Sequence, residues 1–319
     1  MLRAALLGLV LIALGLSTEA CAAPQLKLLT FNLWGAGLNE NKPVTETVAV
    51  LKAVDADIIG LQETRAEADV CTAEDCDAAG PSTALALAEA LGYHLYEQRP
   101  DGGPLWANAV LSRYPITGAT KGDTGVYIDV DGKSVVMFNI HLTDYPYQPY
   151  QLTGIPYGDA KQLKTADEAI AAARSARGGE LDVMLKDLAS ARDTDVQIVN
   201  GDFNEPSFRD WTARAVEAGQ QPLAVEFPTT KKVESLGFKD ALRVIYPDEI
   251  ARPAFTWTPT KAPDDPTEHQ DRIDYIFVRG KAEVTGAGIV GEKHPEADIV
   301  VTPWPSDHRA VYATIRLTD

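Results

Sequence analysis

Short apolar runs, nearly all bounded by a carboxylate, an amide or an imidazole, constrain this chain more than any other feature. In order these residues are Asn32, Glu63, His141, Asp202 with Asn204, Asp274, and Asp307 with His308. The runs beside them are β-branched, leucine-rich or aromatic and too short for helices. Leu26 to Leu33, Ile58 to Leu61 and Val196 to Val199 read as strands on that ground. Further strands are expected over Tyr93–Gln98, Ala107–Leu111, Gly125–Val130, Ser134–Leu142, Ile273–Val278, Glu283–Val290 and Arg309–Leu317. Asp131-Gly132 is a hairpin signal between two of them. Adjacent hairpins require antiparallel pairing, which disfavours a purely parallel doubly wound sheet. Two packed sheets with helices outside fit better.

The helices are expected between these strands. Val44, Val48, Leu51 and Val54 share one face of a helix over 44–54, and a second over 83–91 stops at Gly92. Residues 163–177 and 180–191 read as helical, broken at Gly178-Gly179, and Phe208–Ala218 reads as another helix. No linker or internal repeat divides the chain, so residues 23–319 are expected to form one domain.

Residues 1–22 read as an export signal: Arg3, an apolar core from Ala4 to Leu16, and the small-x-small exit Ala20-Cys21-Ala22. The expected compartment is periplasmic or extracellular. Lipid anchoring through Cys21 is the weaker reading, because Thr18 and Glu19 stand where aliphatic and uncharged residues are expected. No later run is apolar enough to span a bilayer. In an oxidising compartment Cys71 and Cys76 are expected to close a small loop as a disulfide; a zinc or redox pair would need nearby histidine or closer spacing. The net charge of −17 argues against broad nucleic-acid affinity, which comes from cationic side chains. It also argues against long-range attraction to anionic membranes.

The strand-end residues carry the chemistry, and each has a bland alternative. Asp202 and Asn204 can face one pocket across Phe203, or close an Asx turn. His308 at the mouth of a strand needs an acceptor for its second nitrogen. Asp274 is the best candidate, with Arg272 its rival partner on the same face. Glu63 is a hard oxygen donor suited to magnesium, or a surface acid. His141 shares a face with Met137 and Asn139, as a functional or a structural histidine. Asn108 can position a phosphate or end a strand. Together the set suits metal-assisted cleavage of a phosphate ester.

These motifs identify a resemblance. Thr30-Phe31-Asn32, Leu61-Gln62-Glu63, Asn108 to Ile116, Asn139-Ile140-His141-Leu142, Gly201-Asp202-Phe203-Asn204, Arg272-Ile273-Asp274-Tyr275 and Ser306-Asp307-His308 resemble, in order, those of the endonuclease/exonuclease/phosphatase superfamily. The resemblance implies an α/β (α+β) four-layered sandwich: two packed, mostly antiparallel sheets flanked by helices. It implies Glu63 as principal ligand of Mg2+ (or Mn2+), with Asn32 and Asp307 beside it. Asp202 would orient or deprotonate water or join a second metal position, Asn204 would hold phosphate, and His141 and the Asp274-oriented His308 would bracket the phosphoryl group. Histidine at 141 resembles the deoxyribonuclease and sphingomyelinase branches; abasic-site endonucleases usually carry tyrosine there.

The departure from the simplest family pattern is an insertion expected around 144–175. Asp144 to Asp159 has four tyrosines (Tyr145, Tyr147, Tyr150, Tyr157), three prolines and no basic residue. Its rings could cover the non-phosphate part of a substrate, or pack under the loop. The polar stretch 259–271, with His269, could form a second wall. The expected substrate is therefore a small, glycan-linked or lipid-headgroup phosphodiester, with nucleic acid second. A catalytically dead binding protein would lack a site residue, and none is missing. Nothing in the sequence names a protein partner.

Overall fold

Alternation along the apolar runs decides the architecture. The computed structural model describes residues 24–65, 83–98 and 107–319; the leader, Cys21, Cys71 and Cys76, and with them the expected disulfide, lie outside that range. In chain order the first elements are β1 (Gln25–Asn32), α1 (Val44–Val54), β2 (Ile58–Gln62), α2 (Thr83–Leu91), β3 (His94–Glu97), β4 (Ala109–Ser112), β5 (Ile116–Ala119), β6 (Gly125–Val130) and β7 (Lys133–His141). Then come α3 (Gln148–Thr153), α4 (Ala166–Ser190), β8 (Val196–Asp202), α5 (Ala213–Glu217), α6 (Pro228–Ser235), β9 (Lys239–Asp240) and α7 (Ala241–Ile245). Four strands close the chain: β10 (Asp274–Gly280), β11 (Ala282–Gly291), β12 (Ala297–Val300) and β13 (Ala310–Leu317).

The strands form two sheets, ordered β12-β11-β13-β1-β2-β4-β3 and β5-β6-β7-β8-β10-β9. Only β1/β2, β7/β8 and β11/β12 pair in parallel among the described strands. The β6–β7 hairpin turns at Asp131 (φ 51°) and Gly132 (φ 87°), the left-handed pair that matches strand twist. Leu26 and Leu28 of β1 meet Met137 of β7, Ile198 of β8 and Ile276 of β10 between the sheets. Their neighbours point outward: Leu29 and Phe31 pack on Val50, Leu51 and Val54 of α1 and Leu87 of α2. Phe138, Val199 and Phe277 pack on Leu181, Met184 and Leu188 of α4. The result is helix, sheet, sheet, helix. No helix among the described residues is long and apolar enough to cross a membrane.

Helix α4 corrects the expected break at Gly178-Gly179: it runs unbroken for 25 residues. Its start is fixed by a capping box between Thr165 and Glu168. Buried Arg177, Leu181, Met184 and Leu188 then anchor the helix, outweighing about 1 kcal/mol of helix propensity lost per glycine. The helix expected over Phe208–Ala218 shrinks to Ala213–Glu217, because Asp210 is held in a turn by Arg243 and Arg272 and Thr212 caps the helix.

Toward one end of the sandwich the inter-sheet layer turns polar. The Gln62 side chain donates to Asn139 Oδ1 at 2.6 Å, Asn139 Nδ2 donates to Leu61 O and Gln98 Oε1 at 2.9 Å, and Asn200 Nδ2 donates to Asn139 Oδ1 at 3.2 Å. All four side chains are buried. Gly60 permits this approach, since a Cβ there would lie 2.0 Å from Asn200 Nδ2. This layer sits directly beneath the polar strand ends.

Candidate active site

Register brings the polar strand ends together. Asn32 is level with Gln62 across β1 and β2, His141 with Asp202 across β7 and β8, and Asp274 with Asp202 across β8 and β10. Strand β8 continues past Val199 through Asn200-Gly201-Asp202 because it stays paired on both sides. Gly201 therefore lies inside the paired strand. It is a point of close approach, where a Cβ would meet Ile140 O at 1.8 Å.

The side chains line one cavity of about 610 Å3, bordered by Glu63, His141, Asp202, Asn204, Asp307 and His308 on its polar side. Glu63 has φ 50° and Asn204 φ 47°. The left-handed backbone costs about 1–2 kcal/mol for a residue such as glutamate, and here it turns the carboxylate off the end of β2. His141 Nε2 lies 3.5 Å from Glu63 Oε1 and 3.7 Å from Asp202 Oδ2. His308 Nε2 lies 3.6 Å from the same Asp202 oxygen. The ligand-type atoms of Glu63, His141 and Asp202 fall within 4.8 Å of one another, as do those of Asp202, Asp274 and His308.

The two open pairings of Asp274 resolve in favour of His308. Its Oδ2 accepts from His308 Nδ1 at 2.9 Å. The rival Arg272 is taken by Asp210 and Asp240, at 2.9 and 2.8 Å. His308 is buried, which opposes its charge, but the carboxylates of Asp274, Asp202 and Asp307 outweigh burial and hold its pKa well above the usual histidine range. Ser306 locks the loop: its hydroxyl donates to Asn32 O at 2.7 Å and accepts from His308 N–H at 3.0 Å.

Hydrogen bonds fix the orientation of two amides at the site. Asn32 Oδ1 accepts from Trp34 N–H at 3.1 Å, which fixes the flip of the amide. Its Nδ2 therefore faces Glu63 Oε1 at 2.8 Å and Asp202 Oδ2 at 3.0 Å. It braces two carboxylates and has no oxygen turned to a metal in this arrangement. Asn204 directs Nδ2 to Leu142 O at 2.9 Å and Asp202 Oδ2 at 3.3 Å, while its N–H donates to Asp202 Oδ1 at 2.8 Å. The Asx turn and the pocket position are both present.

A divalent cation fits this donor set. Asp307 Oδ1 is buried with no hydrogen-bond partner. Burial, with the charges of Glu63 and Asp202 added, pushes the Asp307 carboxyl up to about 7. A buried carboxylate oxygen without a donor, beside two further carboxylates, is what a hard cation compensates. Glu63, Asp202 and Asp307 are the oxygen donors that would hold it.

Tyr147, Tyr150 and Tyr157 line the far side of the same cavity, with Trp257, Asp144 and Glu180. Tyr145 is not part of the lining and packs edge-on against Tyr157. Asn108 is buried beneath the site, where its Nδ2 approaches Asn139 O at 3.4 Å. His269 is likewise placed away from the lining. Its Nε2 pairs with Gln221 Oε1 at 2.8 Å, its ring lies against Trp211, and burial lowers its pKa to about 4. Its stretch meets the cavity through other residues: Tyr147 OH donates to Asp271 at 2.9 Å and Tyr150 OH to Glu268 at 2.5 Å. Sequence reasoning missed Trp257, whose ring centroid is 5.0 Å from that of His308, and Glu180, which comes from α4. An isolated tryptophan in a Thr/Pro-rich stretch and a helical glutamate carry no local signal.

A model of the Endonuclease/Exonuclease/phosphatase family matches residues 29–308. An uncharacterized protein of Caenorhabditis elegans is 27% identical, over 93% of each chain. Among solved structures, an endonuclease/exonuclease/phosphatase from Beutenbergia cavernae aligns with TM-score 0.54 and 19% identity, covering 92% of this chain and 72% of that one. A family protein from Leptotrichia buccalis aligns with TM-score 0.53 and 16% identity, covering 91% and 99%. The strand-end constellation, the two-sheet sandwich that assembles it and the match along most of its length make this chain a member of the endonuclease/exonuclease/phosphatase family.

Proposed function

We propose that this protein is a magnesium-dependent phosphodiesterase acting on a small, glycan-linked or lipid-headgroup phosphodiester. The observation that carries this reading is the placement of Asp202 Oδ2 between two imidazole nitrogens, 3.7 Å from His141 and 3.6 Å from His308, beside the partnerless oxygen of Asp307. A divalent cation, held by Glu63, Asp202 and Asp307, would supply positive charge that offsets that of the phosphate. Asp202 accepts the proton of the attacking water, held in line for it by Asn32 and Asn204. His308, kept protonated by the carboxylates around it and oriented by Asp274, stabilises the phosphoryl charge from one side. His141 does so from the other, and one of the two protonates the leaving oxygen.

The substrate class rests on the cavity walls. Among the described residues no lysine or arginine lines the cavity, and the chain carries −17 overall. A duplex polyanion gains little on such a surface. An extracellular nuclease is the second reading, favoured by histidine at 141. Assay of purified protein with magnesium against plasmid DNA, bis-(p-nitrophenyl) phosphate, a lipid phosphodiester and phosphoinositides separates the two. Preference for a non-nucleic diester is expected; DNA cleavage at physiological salt that surpasses every other substrate would reverse the order. The proposed setting is outside the cytoplasm, with residues 1–22 removed and Cys71 joined to Cys76. Intact mass before and after reduction and alkylation tests both, and a retained leader or two free thiols in exported material would count against it.

A further inference from the structure

The cavity has a second wall whose chemistry differs from the first. Tyr147, Tyr150 and Tyr157 are linked edge to face, with ring centroids 4.8 Å apart for Tyr147–Tyr150 and 5.9 Å for Tyr150–Tyr157. Trp257 joins this wall to the catalytic side: its Nε1 donates to Tyr150 OH at 3.0 Å and its ring leans on His308. Every tyrosine hydroxyl of the segment donates to a carboxylate. Tyr147 donates to Asp271, Tyr150 to Glu268, Tyr157 to Asp144, and Tyr145, behind the wall, to Asp159.

These pairings have two consequences. A phenol that donates to a carboxylate becomes richer in electrons, which strengthens the negative ring face. The hydroxyls are also already engaged, so the wall offers aromatic surface rather than the hydroxyl donors a sugar or base edge would use. Asp144 and Glu180 add carboxylates to the lining. The neighbouring cation, Arg177, is fully buried and turned to Gln148 Oε1 and the carbonyls of Asp144 and Pro146. Electron-rich rings with carboxylates, and no lysine or arginine among the described lining residues, suit one ligand chemistry, an organic ammonium.

We propose that the tyrosine wall is a binding subsite for a quaternary ammonium group, and that the phosphodiester cleaved here carries a choline-type alcohol on one ester arm. The inference rests on the phosphodiesterase reading and narrows it. The phosphate faces the carboxylate and histidine side, while the ammonium group lies against Tyr150 and Tyr157, within reach of the Asp144 charge. A fixed cation there offsets the charge of Asp144 and Glu180 in the lining.

The test compares p-nitrophenyl phosphocholine with p-nitrophenyl 3,3-dimethylbutyl phosphate, its uncharged carbon isostere, on the full chain with magnesium. The wild-type protein is expected to favour the cationic ester by about tenfold or more in kcat/KM. Asp144→Asn, which keeps shape and removes charge, and Tyr157→Leu should each bring that ratio toward one. Equal wild-type turnover of the two esters would overturn the subsite and leave the phosphodiesterase reading standing. If no phosphate ester is hydrolysed, that reading fails on its own, and calorimetric titration with choline chloride decides the subsite. Saturable binding that is absent for 3,3-dimethylbutanol and lost in Tyr157→Leu upholds it; no saturable binding overturns it. Glycerophosphocholine and phosphatidylcholine vesicles, compared as substrates, distinguish a soluble from a membrane-borne source, either of which fulfils the proposal.

Discussion

At the scale of single residues the site is a problem of crowded negative charge. Asp202 and Asp274 are buried, and three carboxylates surround one imidazole. Replacing His308 with alanine is expected to lower kcat by about 10²–10⁴-fold with the fold intact. Asp274→Asn should act in the same direction through imidazole orientation. Near-wild-type kcat in both, on a confirmed substrate, would make the pair structural. Asp307 gives a pH prediction. In the metal-free protein its carboxyl titrates near about 7, whereas the unfolded chain releases that proton near the ordinary aspartate value of 3.8. Between those values the folded state holds a proton the unfolded state has lost, so raising pH across that window weakens the metal-free fold. A divalent cation must displace the same proton, so its stabilising effect should grow as pH rises through about 7. Thermal unfolding with and without magnesium at pH 5.5 and pH 8 checks this, and a shift equal at both, or larger at pH 5.5, would contradict it. Residue identity made most of this site visible in the sequence, because nearly every group bounds an apolar run. The amide orientations of Asn32 and Asn204 were not visible, since they depend on Trp34 N–H and Leu142 O.

At the scale of elements, legibility followed periodicity and clear stop signals. The helix over Val44–Val54 and the one ending at Gly92 have both, and they form as the pattern predicts. Strand β8 was cut short in the sequence reading because Asn, Gly and Asp favour turns, whereas pairing with β7 and β10 carries the strand through them. The short elements β5, β12, α3, α6 and α7 escaped because runs of four to eight residues hold too little pattern, and α6 is largely polar outside Val233. The polar layer of Gln62, Gln98, Asn139 and Asn200 was also hidden, since it exists only once the sheets meet. That layer sets the spacing of the sheets below the site. Gly60→Ala places a methyl against Asn200 and Asn139, and it is expected to cost about 1–3 kcal/mol in denaturant unfolding. Wild-type stability in that variant would show that the layer is slack.

At the scale of the whole molecule, two sheets contribute strand ends to one edge, and the 144–159 segment clasps the 257–271 stretch over it. Tyr147–Asp271, Tyr150–Glu268 and Trp257–Tyr150 are the fastenings. The two-sheet sandwich could be read from hairpin signals and alternation, but this clasp joins residues more than 100 positions apart and has no local signature. Under the proposed function this clasp separates substrate recognition from chemistry, and the net charge of −17 bears on which substrate arrives rather than on how the ester is cut. Whether the Glu63–Asp202–Asp307 cluster is the seat of hydrolysis is tested most directly by turnover of bis-(p-nitrophenyl) phosphate in excess chelator, after magnesium is restored, and in Glu63→Gln with magnesium present. Hydrolysis should vanish with chelation, return with magnesium, and fall by about 10²-fold or more in the variant. Full activity in excess chelator with no metal retained by elemental analysis, or wild-type turnover by Glu63→Gln, would contradict it.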